Sequence, residues 1–130
     1  MSAIPPKHYG AAAVGGTRRF DVEIDEAHDD PNDVQMSVTA RNWSFRFRLS
    51  ARADVSRMLS FLREHTGSLV FSELVVGSFH GASVSLVKDR EFVDRFWLRS
   101  HGDGQMVEFV LAADELTQFT EAVAQAVQDS

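Results

Sequence analysis

WSFRFRLS, residues 43–50, decides how the rest of the chain is read. In an extended chain, successive side chains point to opposite faces. Trp43, Phe45, Phe47 and Leu49 then share one side, and Ser44, Arg46 and Arg48 share the other. Large apolar residues alternating with polar ones mark a strand with one face in a core and the other in water.

The same period of two continues upstream. Val34, Met36 and Val38 alternate with Gln35, Ser37 and Thr39, and Arg41-Asn42 sits where a hairpin would turn. Before them, Phe20, Val22 and Ile24 alternate with Arg19, Asp21 and Glu23. DEAHDDPND, residues 25–33, has the Asp, Asn and Pro content of a turn. Residues 1–16 carry Pro5, Pro6, Gly10, Gly15 and Gly16 among small side chains and read as a flexible N-terminal arm. Residues 17–130 then form a single α+β domain.

Downstream the period changes. Val55, Met58, Leu59 and Leu62 recur at the spacing of one helical face, with Phe61 off that stripe and expected to be partly exposed. Ser50 is a candidate N-cap and Gly67 a candidate stop. Four further strands are expected: Leu69 to Phe79 with a bulge at Gly77, then Ala82 to Leu86, Phe92 to Arg99 and Gln105 to Leu111. His80-Gly81 and Gly102-Asp103-Gly104 serve as hairpin turns, and Lys88 to Glu91 as a third turn. A last helix from Ala113 to Val127 aligns Leu116, Phe119, Val123 and Val127. Short links between strands favour antiparallel neighbours. The fold class is therefore α+β: a mainly antiparallel sheet of about seven strands, in the order βββαββββα, with two helices packed on one face.

Composition narrows the function. The 130 residues are 44% hydrophobic and 25% charged, as in an ordinary globular domain. With no cysteine there is no disulfide and no thiolate ligand, which fits a cytoplasmic location. A net charge of −6 argues against nucleic acid and anionic membrane as partners. No HExxH, GxSxG, GxGxxG or P-loop spacing occurs, and the acidic run from Asp21 to Asp33 lacks the glycine and closing glutamate of a calcium loop. No cofactor or metal is expected, and no catalytic residue is assigned. Asp94 and Glu108, each inside a predicted strand, are the one carboxylate pair weighed for acid–base work.

Arginine is the distinctive residue. Arg41, Arg46, Arg48, Arg52, Arg57 and Arg63 crowd a stretch whose only acid is Asp54. Guanidinium groups on a sheet's open face usually meet water or pair with acids such as Glu23 on a neighbouring strand. Trp97 falls on the open side of its strand between Arg95 and Arg99. Tryptophan with arginine is the composition of protein–protein hot spots. Trp97, Arg95, Arg99, Arg46 and Arg48 are therefore the partner-binding candidates. The first strand and one inner strand are the expected sheet edges, and the expected state is a monomer or weak homodimer.

The adjacent Trp97 and Leu98, the Gly102-Asp103-Gly104 hairpin, the alternating strand and the run Ala113-Asp114-Glu115-Leu116 to Phe119 resemble small bacterial α+β proteins of the WapI-type immunity kind. The resemblance is one of layout, over roughly residues 34–127. It implies a non-catalytic cytoplasmic protein that binds and blocks a toxin. A secretion-type chaperone is the nearest alternative, although such a chain is expected to begin with a helix. A small-ligand-binding protein or enzyme, with its pocket between sheet and helices, is the other.

Overall fold

The computed structural model describes residues 7–10, 20–26 and 33–129. Eight strands and two helices follow one another as β1 (Lys7–Tyr9), β2 (Asp21–Glu26), β3 (Val34–Thr39), β4 (Ser44–Leu49), α1 (Asp54–His65), β5 (Ser72–Phe79), β6 (Ala82–Lys88), β7 (Arg95–Gly102), β8 (Gln105–Ala112) and α2 (Ala113–Gln128). The strands form one sheet in chain order, and every neighbouring pair is antiparallel. The α+β class and the antiparallel sheet stand as read. There are eight strands because Lys7–Tyr9 pairs with Val22–Ile24, inside the stretch expected to be an arm. The rest of that arm, residues 1–6 and 11–16, lies outside the described residues, as do 17–19 and the centre of the acidic turn, 27–32. The sheet edges are β1 and β8.

The opening stretch behaves as its alternation requires. Phe45, Phe47 and Leu49 are buried, whereas Arg46 and Arg48 are exposed. Their pairing partners Val38, Met36 and Val34, and beyond those Val22 and Ile24, are buried on the same face. Val76, Val84, Leu86, Phe96, Leu98 and Leu111 continue that face through β5 to β8. Helix α1 contributes Val55, Met58, Leu59 and Leu62, and α2 contributes Leu116, Phe119, Ala122, Val123 and Ala126. Phe61 is buried too, contrary to expectation, because its ring meets Phe96 edge-on at 5.9 Å.

The sheet is curled. Helix α2 touches β1 and β2 near one edge, and β7 and β8 at the other. Phe45 on β4 also lies against Phe109 on β8, with ring centroids 4.9 Å apart. Four strand steps in a flat sheet would separate them by about 19 Å. The β4–β5 seam is short: Arg48↔Ser78 and Leu49↔Gly77 pair across it. The bulge after Val75 is beside it, at the predicted place. Gly77 is required there, since a Cβ would stand 1.9 Å from the Arg48 carbonyl oxygen.

Element boundaries moved for local reasons. Ser50 does not cap α1. Its N–H donates to the Val76 carbonyl at 3.1 Å and prolongs the sheet, and the helix begins at Asp54, whose carboxylate accepts the Ala51 N–H at 2.8 Å. Strand β7 begins at Arg95, not Phe92, because Asp89 gathers the intervening residues into a turn. The β7–β8 hairpin turns on Asp103-Gly104, both at positive φ, as a two-residue turn of this hand demands.

Candidate functional site

The curl gives the sheet a convex outer face, and the register places its side chains. On β5 to β8 the rows read Glu73–Val87–Trp97–Val110 and Val75–Ser85–Arg99–Glu108. Trp97 is thus central, half-buried, between the buried Val87 and the half-buried Val110. Val75, the β5 member of the second row, is exposed, as is Phe71 just before β5.

Asp89 organises one end of this face. Its Oδ2 accepts Arg95 Nε at 2.5 Å and the Trp97 indole N–H at 3.0 Å. Its Oδ1 accepts the backbone N–H groups of Glu91 and Phe92 at 2.5 and 3.2 Å. Burial by itself would raise the Asp89 pKa. The hydrogen bonds from Arg95, Trp97 and the two backbone amides outweigh it and hold the carboxyl well below the usual range. With four donors in place, Asp89 is a structural anion, saturated by its own turn and by β7.

Lys88, the preceding residue, points the other way and is fully buried. Its Nζ donates to the carbonyls of Asp89 and Phe92 at 2.5 and 2.7 Å and closes the same turn from beneath. Burial lowers its pKa, with the nearby charges of Asp89 and Asp94 opposing that shift. Above the turn the guanidinium of Arg95 lies 4.1 Å from the Phe92 ring and 5.3 Å from the Trp97 ring. The Arg90 guanidinium lies 5.8 Å from the Phe71 ring. Phe71, Lys88, Asp89, Arg90, Arg95 and Trp97, with Val87, Glu91 and Arg99, line a shallow recess of about 310 Å³.

The five partner-binding candidates fall into two groups. Arg95, Trp97 and Arg99 share the outer face of β7. Arg46 and Arg48 stand on β4, three strands away. Arg46 is held by Gln35 at 2.8 Å, Asp25 at 2.9 Å and Glu23 at 3.3 Å, and Arg48 by Asp33 at 3.4 Å. This is the cross-strand pairing that outward acids on the first half of the sheet suggest. Arg99 is similarly placed between Glu108 at 3.0 Å and Glu73 at 3.7 Å. The carboxylate pair weighed for acid–base chemistry does not form in strands: Asp94 is in the turn before β7, and Glu108 is bound to Arg99.

Asp89, Arg90 and Phe71 are the site residues that sequence reading missed. From sequence, Lys88 to Glu91 reads only as a turn. The available signal was an aspartate followed two and three residues later by chain that must turn, the pattern of a side chain capping its own backbone.

Among the described residues no group of His, Cys, Asp or Glu is placed to hold a metal ion, and no helix is long and apolar enough to cross a membrane. Comparison of the chain with protein-family models, with curated proteins and with solved structures finds no match.

Proposed function

We infer that the chain is a small protein-binding module, acting without catalysis of its own, of the immunity-inhibitor type that its layout resembles. It works by laying the outer face of β5 to β8 on another protein. One observation carries this reading: a half-buried tryptophan at the centre of that face, with Arg95 lying over its ring, Arg99 on the same strand, and the exposed apolar side chains of Phe71, Val75 and Phe92 nearby. A central aromatic–arginine cluster within a polar rim is how protein interfaces concentrate their energy. The overall charge of −6 suits a basic partner. In this reading the protein works in the cytoplasm, as a monomer or weak dimer.

The experiment is capture from the native host with a photo-crosslinking residue at position 75 or, as control, at exposed position 121 on α2. The products of genes adjacent to its own are the first candidates. The captured protein is then purified and its affinity measured. Crosslinking from position 75 and not from 121, with binding weakened by Trp97→Ala in a folded variant, supports the reading. A partner that crosslinks only from 121 contradicts it.

A further inference from the structure

Within the recess, one cation stands apart. Arg95 commits Nε to Asp89 and directs Nη2 toward Glu91, and Arg99 is shared by Glu108 and Glu73. Lys88 is enclosed by backbone carbonyls. Arg90 is exposed and makes no ion pair among the described residues; its only contact of that kind is the Phe71 ring. A guanidinium lying over an aromatic ring has one face covered, while its N–H edges stay open in the plane. Those edges match the two oxygens of a carboxylate.

The other charges around the recess are already partnered. The recess is lined by four cations, Lys88, Arg90, Arg95 and Arg99, and by two carboxylates, Asp89 and Glu91. Asp89 is already saturated, and Glu91, 73% exposed at its side chain, lies 3.6 Å from Arg95 rather than on Arg90. Arg99 is balanced by Glu73 and Glu108, and Lys88 is enclosed by backbone carbonyls, so the cation left open beside the apolar floor of Val87, Trp97 and Phe71 is Arg90. We propose that the recess receives an acidic side chain of a protein partner, with Arg90 as its reader and Trp97 and Phe71 packing its aliphatic stem. This rests on the protein-binding reading above and names the chemistry of its central contact. A partner that is basic overall would then present an aspartate or glutamate, flanked by apolar residues, at the point of contact.

The test uses the whole chain, labelled for observation of arginine Nε–H and tryptophan indole N–H resonances. It is titrated to millimolar concentration with acetyl-Leu-Glu-Leu-amide, with the Gln analogue, and with inorganic phosphate. The Glu peptide is expected to shift Arg90 Nε–H and the Trp97 indole together, the Gln peptide to shift neither, and Arg90→Gln to weaken the Glu response at least about fivefold. Arg90 is exposed, so the variant keeps the fold. Equal responses to Glu and Gln peptides overturn the proposal, as does no response to either. Equal shifts at Arg41 and Arg63, which also lack ion pairs among the described residues, reveal nonspecific screening and overturn it. Stronger binding of phosphate than of the Glu peptide replaces the carboxylate with a phosphoryl ligand. If a captured partner binds the β5–β8 face but is indifferent to Arg90→Gln, this inference fails and the protein-binding reading stands. If the peptide binds but no partner engages the face, the recess is a carboxylate site but the protein-binding reading fails, and with it the assignment of that carboxylate to a protein partner.

Discussion

The Asp89 carboxylate accepts the Trp97 indole N–H at 3.0 Å, and this bond couples the turn before β7 to the centre of the outer face. A tryptophan half-open to water is held in one orientation by an anion that cannot leave, because Arg95 and two backbone amides hold the anion in turn. Rigid aromatic anchors lose little entropy on binding, which is what a docking surface needs.

Asp89→Asn should destabilise the fold by about 2–4 kcal/mol, since it removes the buried charge that Arg95 Nε, the Trp97 indole and two backbone amides bind. The sign with pH follows from the depressed pKa. Its stabilising contribution is complete above the unfolded carboxylate value, about 3.9, and is lost as pH falls through the lower folded value. Urea unfolding of wild type and variant at pH 7 and again below pH 4 measures both. The gap between them should shrink in acid.

Gly77→Ala should be among the most damaging single-methyl additions, costing roughly 2–4 kcal/mol. The added carbon meets backbone, the Arg48 carbonyl, at the narrow seam between β4 and β5. Thermal unfolding measures the cost. A Tm equal to wild type would mean that the seam is wider than described.

Ala113→Gly should stabilise. Ala113 has φ 52° where β8 passes directly into α2. A left-handed residue with a Cβ costs about 1–2 kcal/mol, and glycine returns part of that gain through its looser unfolded chain. A net increase of about 0.5–1 kcal/mol in chemical denaturation is expected.

Tyr9 sets an alkaline limit. Its hydroxyl donates to Asp129 at 2.6 Å and joins β1 to the end of α2, with Lys7 on the same carboxylate at 3.0 Å. Burial, and then the bond to Asp129, push its pKa up to about 12. The folded state keeps the phenol protonated where the unfolded chain has lost it. This contribution is therefore present below pH 10 and lost as pH rises through about 12. The Tm of wild type should fall across that window, and Tyr9→Phe should lack that part of the fall.

The fold was legible wherever alternation was regular. Phe45/Phe47, Val34/Met36/Val38 and the two helical stripes fixed strands, faces and helices, because burial selects for the period itself. Boundaries were less legible where a side chain overrode the pattern: Asp89 delayed β7, and the bond from Ser50 to Val76 delayed α1. Strand β1 was hidden because three residues are too few to show a period. Of the site, Trp97 with Arg95 and Arg99 could be read from one strand. Separating them from Arg46 and Arg48 required the order of strands, which short-range pattern does not contain.

The most direct measurement is the affinity of a purified protein partner for four variants: Phe71→Ala and Trp97→Ala on the outer face of β5 to β8, and Arg46→Ala and Arg48→Ala on β4, each first shown to be folded. The two outer-face changes should each weaken binding about tenfold or more, and the two on β4 should leave it within about twofold. Undiminished binding by the Phe71 and Trp97 variants, with loss on changing Arg46 or Arg48, would place the interface on β4 and contradict the assignment.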